Sequence, residues 1–230
     1  MSSFTFRAYH SMDLDIFQRE IGINFADTYL LETALTHRSF LNEHRGSKKE
    51  HNERLEFLGD AVLELVVTNF LYRKFPESPE GELTAYRSAL VNTVTLSEAS
   101  EKLKVNNHLL LSKGEAKDTG RARSYILANT FEAIVGAIYL DQGYEKASEF
   151  IARNILPLID EIIEKRLWQD SKSYLQELSQ EKVSITPGYR VLSEEGPDHD
   201  KNFTVGVFLK DKKLAEGEGK SKQEAEQSAA

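Results

Sequence analysis

Asn52-Glu53-Arg54-Leu55-Glu56-Phe57-Leu58-Gly59-Asp60 opens a helical pattern that continues to Tyr72. At about 100° per residue, Glu53, Glu56, Asp60 and Glu64 fall within an arc of roughly 80°, with Val67 and Phe57 on its margins. Leu55, Leu58, Ala61, Val62, Leu63, Leu65 and Val66 cover most of the remaining circumference. A helix that is apolar nearly all round belongs inside a protein. Carboxylates there are costly unless they are paired, neutralised or bound to a metal. Two explanations stand side by side. The acids form a solvated face or a network with nearby bases such as Arg54, or they hold a divalent cation.

The bulk of the chain limits the choices. Its 230 residues suffice for one large domain or two modest ones, and 40% hydrophobic with 29% charged residues is ordinary globular composition. The absence of cysteine excludes a disulfide scaffold and any thiolate zinc site. The longest mainly apolar run, Ala133 to Leu140, is far too short to span a membrane. The first twenty residues hold several charges and no apolar core, so no secretory signal is expected and the cytoplasm is the expected compartment. A net charge of −8 runs against a generic nucleic-acid binder, although a small basic stripe can sit on an acidic protein.

From about Asp13 to Leu167 the text reads as helical. Segments open at Leu14, at Asp27 (a plausible N-cap) and at Asn52, where the acidic helix ends near Phe75 because Pro76 and Pro79 cannot continue it. Further helices are expected over 82–92, 95–104 and 124–141, and one or two more over 144–166, interrupted or bent near Pro157. Loops are expected over 42–52 and 112–123. Near Trp168 the character changes. A short helix, 173–180, precedes strands over 189–193, 203–209 and 213–218, with the turn signal Gly196-Pro197-Asp198-His199-Asp200 between the first two. A last helix begins about Ser221. The order is α-β-β-β-α, and the fold class is mainly α.

In Ala128-Asn129-Thr130-Phe131-Glu132 the polar residues Asn129 and Glu132 are spaced i, i+3 and share a face of an otherwise apolar helix. Two apolar helices, each offering oxygen donors one turn apart, suit a hard cation such as Mg²⁺. The plainer alternative is that Asn129 satisfies a backbone group and Glu132 pairs with an arginine.

Together these pieces resemble bacterial ribonuclease III. The stretch 52–60 is similar to that family's signature, and 127–141 to its second acidic helix. Further likeness lies in Leu35-Thr36-His37-Arg38-Ser39-Phe40 and in Pro79-Glu80-Gly81. The C-terminal segment resembles the double-stranded-RNA-binding domain that follows the nuclease domain in this family. The resemblance implies an all-helical endonuclease domain over 13–167 and a small RNA-binding domain over 171–230. The last helix there has only about nine residues before Ala230, fewer than the family's, as a truncated or minimal domain would have.

The resemblance also assigns roles. Glu56, Asp60, Asn129 and Glu132 are the expected ligands of Mg²⁺, with Mn²⁺ as a substitute. Asp60 and Glu132 are expected to be catalytic. Glu80 is expected to support metal and RNA, and Glu53 to be structural. Asn129 departs from the family's pattern, which has Asp there, and brings one negative charge fewer. The implied reaction is hydrolysis of double-stranded RNA to 5′-phosphate and 3′-hydroxyl ends, in processing of rRNA and mRNA precursors. The implied assembly is a homodimer in which Phe57 inserts into the partner subunit. A non-cleaving duplex-binding protein on the same fold is the alternative, favoured by Asn129 alone.

In the C-terminal segment, Gln176 and Gln180, i and i+4 on a helix, suit 2′-hydroxyls and base edges of a minor groove. His199 in the inter-strand turn and Lys220 and Lys222 at a helix N-terminus are the other expected RNA contacts. Surface glutamine pairs and lysine clusters are also common without such a role. Residues 171–230 hold 9 Lys+Arg against 11 Asp+Glu, so the basic charge is patterned rather than abundant.

Overall fold

The computed structural model describes residues 14–44, 46–197 and 201–230. The chain divides into two compact units, Met1–Lys165 and Arg166–Ala230.

The first unit is helical: α1 Leu14–Ile21, α2 Thr28–Ala34, α3 Arg38–Glu43, α4 Glu53–Lys74, α5 Glu80–Leu90, α6 Thr93–Lys102, α7 Arg121–Gln142, α8 Tyr144–Asn154 and α9 Leu158–Glu164. Local chemistry sets the ends. Asp27 caps α2 by accepting from Tyr29 N at 3.0 Å, and Asn92 caps α6 by accepting from Thr95 N at 2.9 Å. Pro79 precedes α5, so that helix begins at Glu80 rather than at Glu82. Helix α3, where the sequence suggests no helix, is capped by His37, an unusual cap whose Nδ1 accepts from Ser39 N at 3.3 Å.

Helix α7 is the axis of the unit. Phe131, Ile134, Val135 and Ile138 are completely buried in it, and Gly143, with φ +84, turns the chain out of it. Helix α4 packs along α7 at backbone contact. A Cβ on Gly59 would lie 1.8 Å from Glu132 O, and one on Gly136 would lie 2.3 Å from Leu55 O. Only paired glycines allow two helices so close.

The structure corrects the expectation that α4 is buried nearly all round. Leu55, Val62, Leu63, Val66, Val67 and Leu71 are buried, but Phe57, Ala61 and Leu65 face solvent. Glu53, Asp60 and Glu64 are exposed and Glu56 is half-buried. The acids therefore cost less to keep than full burial would demand.

The second unit is α10 Ser171–Val183, β1 Gly188–Glu195, β2 Asn202–Leu209, β3 Lys212–Gly219 and α11 Lys222–Ala229. The sheet is antiparallel in the order β1-β2-β3. The register runs from Gly188↔Phe208 to Glu195↔Asn202, with an irregularity between Val191 and Ser193. Helix α11 lies against β3, where a Cβ on Gly217 would meet Ala229 N at 2.2 Å. Asp170 caps α10 through Ser173 N at 2.7 Å and accepts from Gln227 of α11, while Lys172 pairs with Glu226. No helix among the described residues is long and apolar enough to cross a membrane.

Candidate active site

The α4–α7 crossing decides which acids meet. Gly59 sits between Glu56 and Asp60, and its backbone touches the carbonyl of Glu132. Helical spacing then turns Glu56, Asp60 and Glu64 of one helix and Asn129 and Glu132 of the other toward a common face.

The electrostatics record the result. Burial lifts the Glu132 carboxyl to about 8, helped by repulsion from Asp60, Glu56 and Glu64. Glu56 is raised as well, first by burial, then by the charge of Glu53 and that of Asp60. The Asn129 amide acts in the opposite direction and favours the Glu56 carboxylate. The structure thus brings Glu56, Asp60, Asn129 and Glu132 within mutual influence. The arginine that the plainer alternative pairs with Glu132 is not among the groups acting on it, and the Asn129 side chain hydrogen-bonds the Glu56 carboxylate.

Among the described residues no three carboxylate or imidazole side chains converge into a ready cation cage. The chemistry of the donors nonetheless fits a hard divalent ion: three carboxylates and an amide carbonyl, all oxygen. A positive charge among them would relieve the repulsion that adds to burial in raising Glu132.

Neighbouring signature residues have structural work. Asn52, 2% exposed, donates from Nδ2 to Ala34 O at 3.3 Å. Glu53 pairs with Arg38 at 3.4 Å, so Arg38 rather than Arg54 is the base that meets the acids of α4. His37 hydrogen-bonds Ser39 Oγ at 2.8 Å, and that hydroxyl accepts from Ser112 N at 3.0 Å. Burial holds the His37 imidazole below its ordinary pKa. The loop expected before α7 is organised rather than loose. Arg123 donates to the carbonyls of Glu115 and Asp118 and, at 3.2 Å, to Asn106 Oδ1. Nothing in the local sequence announces that clasp, because Arg123 finds its acceptors only once the loop is closed.

Glu80 stands apart. It accepts from Thr84 Oγ1 at 3.0 Å on its own helix and is not among the charges acting on Glu56 or Glu132. Phe57, beside these acids, is 83% exposed.

In the second unit, Gln176 and Gln180 are exposed and border one shallow depression with Glu177 and Glu181. Ser221 caps α11 by accepting from Glu224 N at 3.2 Å, and Glu224 in turn accepts from Lys220 N at 2.9 Å. Lys222 is exposed but pairs with Glu194 at 3.1 Å, which takes up part of its charge. His199 lies outside the described residues.

Comparison with known proteins agrees with both units. Residues 27–159 match the family model described as Ribonuclease-III-like, and residues 171–230 match the double-stranded RNA binding motif. A protein named Ribonuclease 3 from Pelotomaculum thermopropionicum is 46% identical over 217 residues, 94% of this chain and 90% of that protein. Another so named, from Bdellovibrio bacteriovorus, is 48% identical over 93% of this chain and 91% of its own length. A crystal structure of the nuclease domain of ribonuclease III from Campylobacter jejuni superposes with a TM-score of 0.56. It is 38% identical and covers 63% of this chain and 99% of its own. With matching models across both units and relatives aligned over nearly the whole length, the chain belongs to the ribonuclease III family of double-strand-specific endoribonucleases.

Proposed function

We propose that this protein cuts double-stranded RNA by Mg²⁺-dependent hydrolysis, leaving 5′-phosphate and 3′-hydroxyl ends, in the processing of rRNA and mRNA precursors in the cytoplasm. The observation that carries this reading is the backbone-to-backbone crossing of α4 and α7, which sets Glu56 and Asp60 opposite Asn129 and Glu132.

Glu56, Asp60, Asn129 and Glu132 would hold the ion, with Mn²⁺ as a substitute for Mg²⁺. When bound, such an ion lowers the pKa of water and neutralises charge on the leaving oxygen. The chain's own part is to fix the donors before substrate arrives. Gly59 and Gly136 set the spacing of the two helices. Asn129 steadies the charged form of Glu56. Glu132, pushed upward first by burial and then by its neighbours, is a carboxyl poised to exchange a proton near neutral pH. Glu80, at the start of α5, would support the RNA or the metal from outside this group.

The second unit would hold the duplex by shape and backbone, with Gln176 and Gln180 at one minor groove, His199 at the next and Lys220 and Lys222 on phosphate. A homodimer joined by α4 through Phe57 completes the reading. The Campylobacter nuclease domain, described as flexible in a region involved in dimer formation, supports it by likeness.

The test is cleavage of a long, perfectly paired RNA with Mg²⁺ and with a chelator, beside a Glu132→Ala control. Cuts that need both Mg²⁺ and Glu132 are expected. Duplex binding without cleavage at any Mg²⁺ concentration would leave the non-cleaving alternative, the reading that Asn129 favours. Because Asn129 removes one negative charge, Asn129→Asp is expected to lower the Mg²⁺ concentration needed for half-maximal cleavage. An unchanged Mg²⁺ dependence would refute that role.

A further inference from the structure

The sheet of the second unit is covered on one face only. Val205 and Val207 of β2 are buried on the side where α11 packs. Side chains alternate along a strand, so Thr204, Gly206 and Phe208 belong to the opposite face. Arg190 of β1 is in register with Gly206, and its guanidinium stands over the Phe208 ring, 4.7 Å from the centroid. Gly206 makes the room for this. A Cβ there would lie 2.9 Å from the Phe208 ring and 3.1 Å from Leu192 Cδ1. A guanidinium is thus layered on an aromatic ring at the open surface.

The β2–β3 turn beside this stack is basic. Lys210 turns the chain at φ +56, and Lys210, Lys212 and Lys213 are all exposed. Asp211 pairs with Arg190 at 3.9 Å and Glu216 pairs with Lys213. Four cations therefore meet two acids, a local positive excess in a unit where acids outnumber bases. Glu218 lies further along β3, opposite Thr204. The cluster occupies the end of the sheet marked by the pairs Gly188↔Phe208 and Leu209↔Lys212. The turn after Glu195 and the N-terminus of α11, where duplex contacts are expected, lie at the other end, roughly 20 Å along the strands.

We propose that this open face binds single-stranded RNA, with a base stacked on the Arg190–Phe208 pair and with Lys210, Lys212 and Lys213 meeting the phosphates that follow. Stacking needs a free base face, which a paired helix buries and a single strand offers. The cations come from three neighbouring strands about 4.8 Å apart, a spread that suits a run of phosphates better than one free nucleotide. An acidic peptide would answer the charge and leave the stack unused. The platform shares no residue with the expected duplex contacts, so it gives the unit a grip on unpaired RNA that is separate from its grip on a duplex.

Fluorescence anisotropy of the full chain with a short labelled oligouridine, which does not pair with itself, tests this in a chelating buffer. Arg190→Ala is expected to raise the dissociation constant roughly tenfold, the share of one stacked base. Arg190→Lys, which keeps the charge and loses the flat group, is expected to do nearly as much. Lys210→Ala with Lys212→Ala is expected to flatten the slope of log affinity against log salt by about 0.7 for each phosphate no longer neutralised. These side chains are exposed, and binding of a blunt-ended duplex RNA is expected to stay unchanged in every variant, which shows that the fold is kept. Oligouridine binding without duplex binding would leave the platform standing and remove the duplex reading. The platform is overturned if oligouridine does not bind at moderate salt, if polyglutamate displaces it as well as unlabelled oligouridine does, or if Arg190→Lys binds it as tightly as the wild type.

Discussion

Glu132 is the residue on which stability and the proposed activity pull in opposite directions. Its folded pKa of about 8 lies above the ordinary carboxylate value, so the folded state prefers it protonated. Stability is therefore lost as pH rises from the unfolded pKa, about 4.3, toward 8, the reverse of a salt-bridged acid. In a chelating buffer at neutral pH, Glu132→Gln is expected to raise the melting temperature by a few degrees, and with Mg²⁺ supplied its cleavage is expected at background. A variant that melts earlier than wild type would show that Glu132 is held by attraction rather than crowded by repulsion. At this scale the sequence is legible where local spacing sets side chains on one face, as it does for Glu56, Asp60, Asn129 and Glu132, which the structure brings within mutual influence. It is silent where a side chain finds its partner far along the chain. Asn52 reaches Ala34, and Ser39 receives Ser112. Nothing in the neighbouring residues announces either bond.

Helix α4 shows what hydropathy alone confuses at the scale of an element. Its apolar residues suggest burial nearly all round, yet the helix has three faces: one covered by α7 and its neighbours, one acidic and one bare. Composition cannot distinguish apolar surface covered by the chain itself from apolar surface left bare. Helix α2 draws on a distant acid as well as on its own cap. Asp141, at the end of α7, accepts from Ala26 N at 2.9 Å and Asp27 N at 2.8 Å at the entry to α2. Burial raises its pKa, but these bonds and one from Gln142 outweigh that, so the net shift is downward. A depressed pKa gives stability that is present above the unfolded value and lost as pH falls through the folded one. Asp141→Asn is expected to cost about 1 kcal/mol or more at pH 7, since hydrogen bonds to a charged acceptor contribute roughly 1.5–3 kcal/mol. In urea unfolding the gap from wild type should close as the carboxyl protonates, below about pH 4. A gap that persists at low pH would place the effect in packing.

The whole molecule is acidic, at −8, so duplex binding must come from a few placed cations. Lys220→Ala with Lys222→Ala is expected to weaken binding equally across duplex sequences. It should flatten the slope of log affinity against log salt by about 0.9 for each phosphate the variant no longer neutralises. Binding isotherms at several salt concentrations decide it; if the Glu194 pair keeps Lys222 from phosphate, its share of the change disappears. The arrangement of helices followed by α-β-β-β-α was legible because periodicity switches near Trp168, whereas α3 was not, because its cap is a histidine. The glycine crossing has a further consequence in time. Helix α4 is synthesised long before α7, its main cover, and residues 53–74 cannot bury their inner face until 121–142 have left the ribosome. During that interval the nascent helix is apolar on two sides, Val62, Leu63, Val66 and Val67 on one and Phe57, Leu65 and Tyr72 on the other. Late closure of so distant a contact is slow and exposes sticky surface. The interval between the emergence of 53–74 and that of 121–142 is therefore when the nascent chain is most open to non-native contacts.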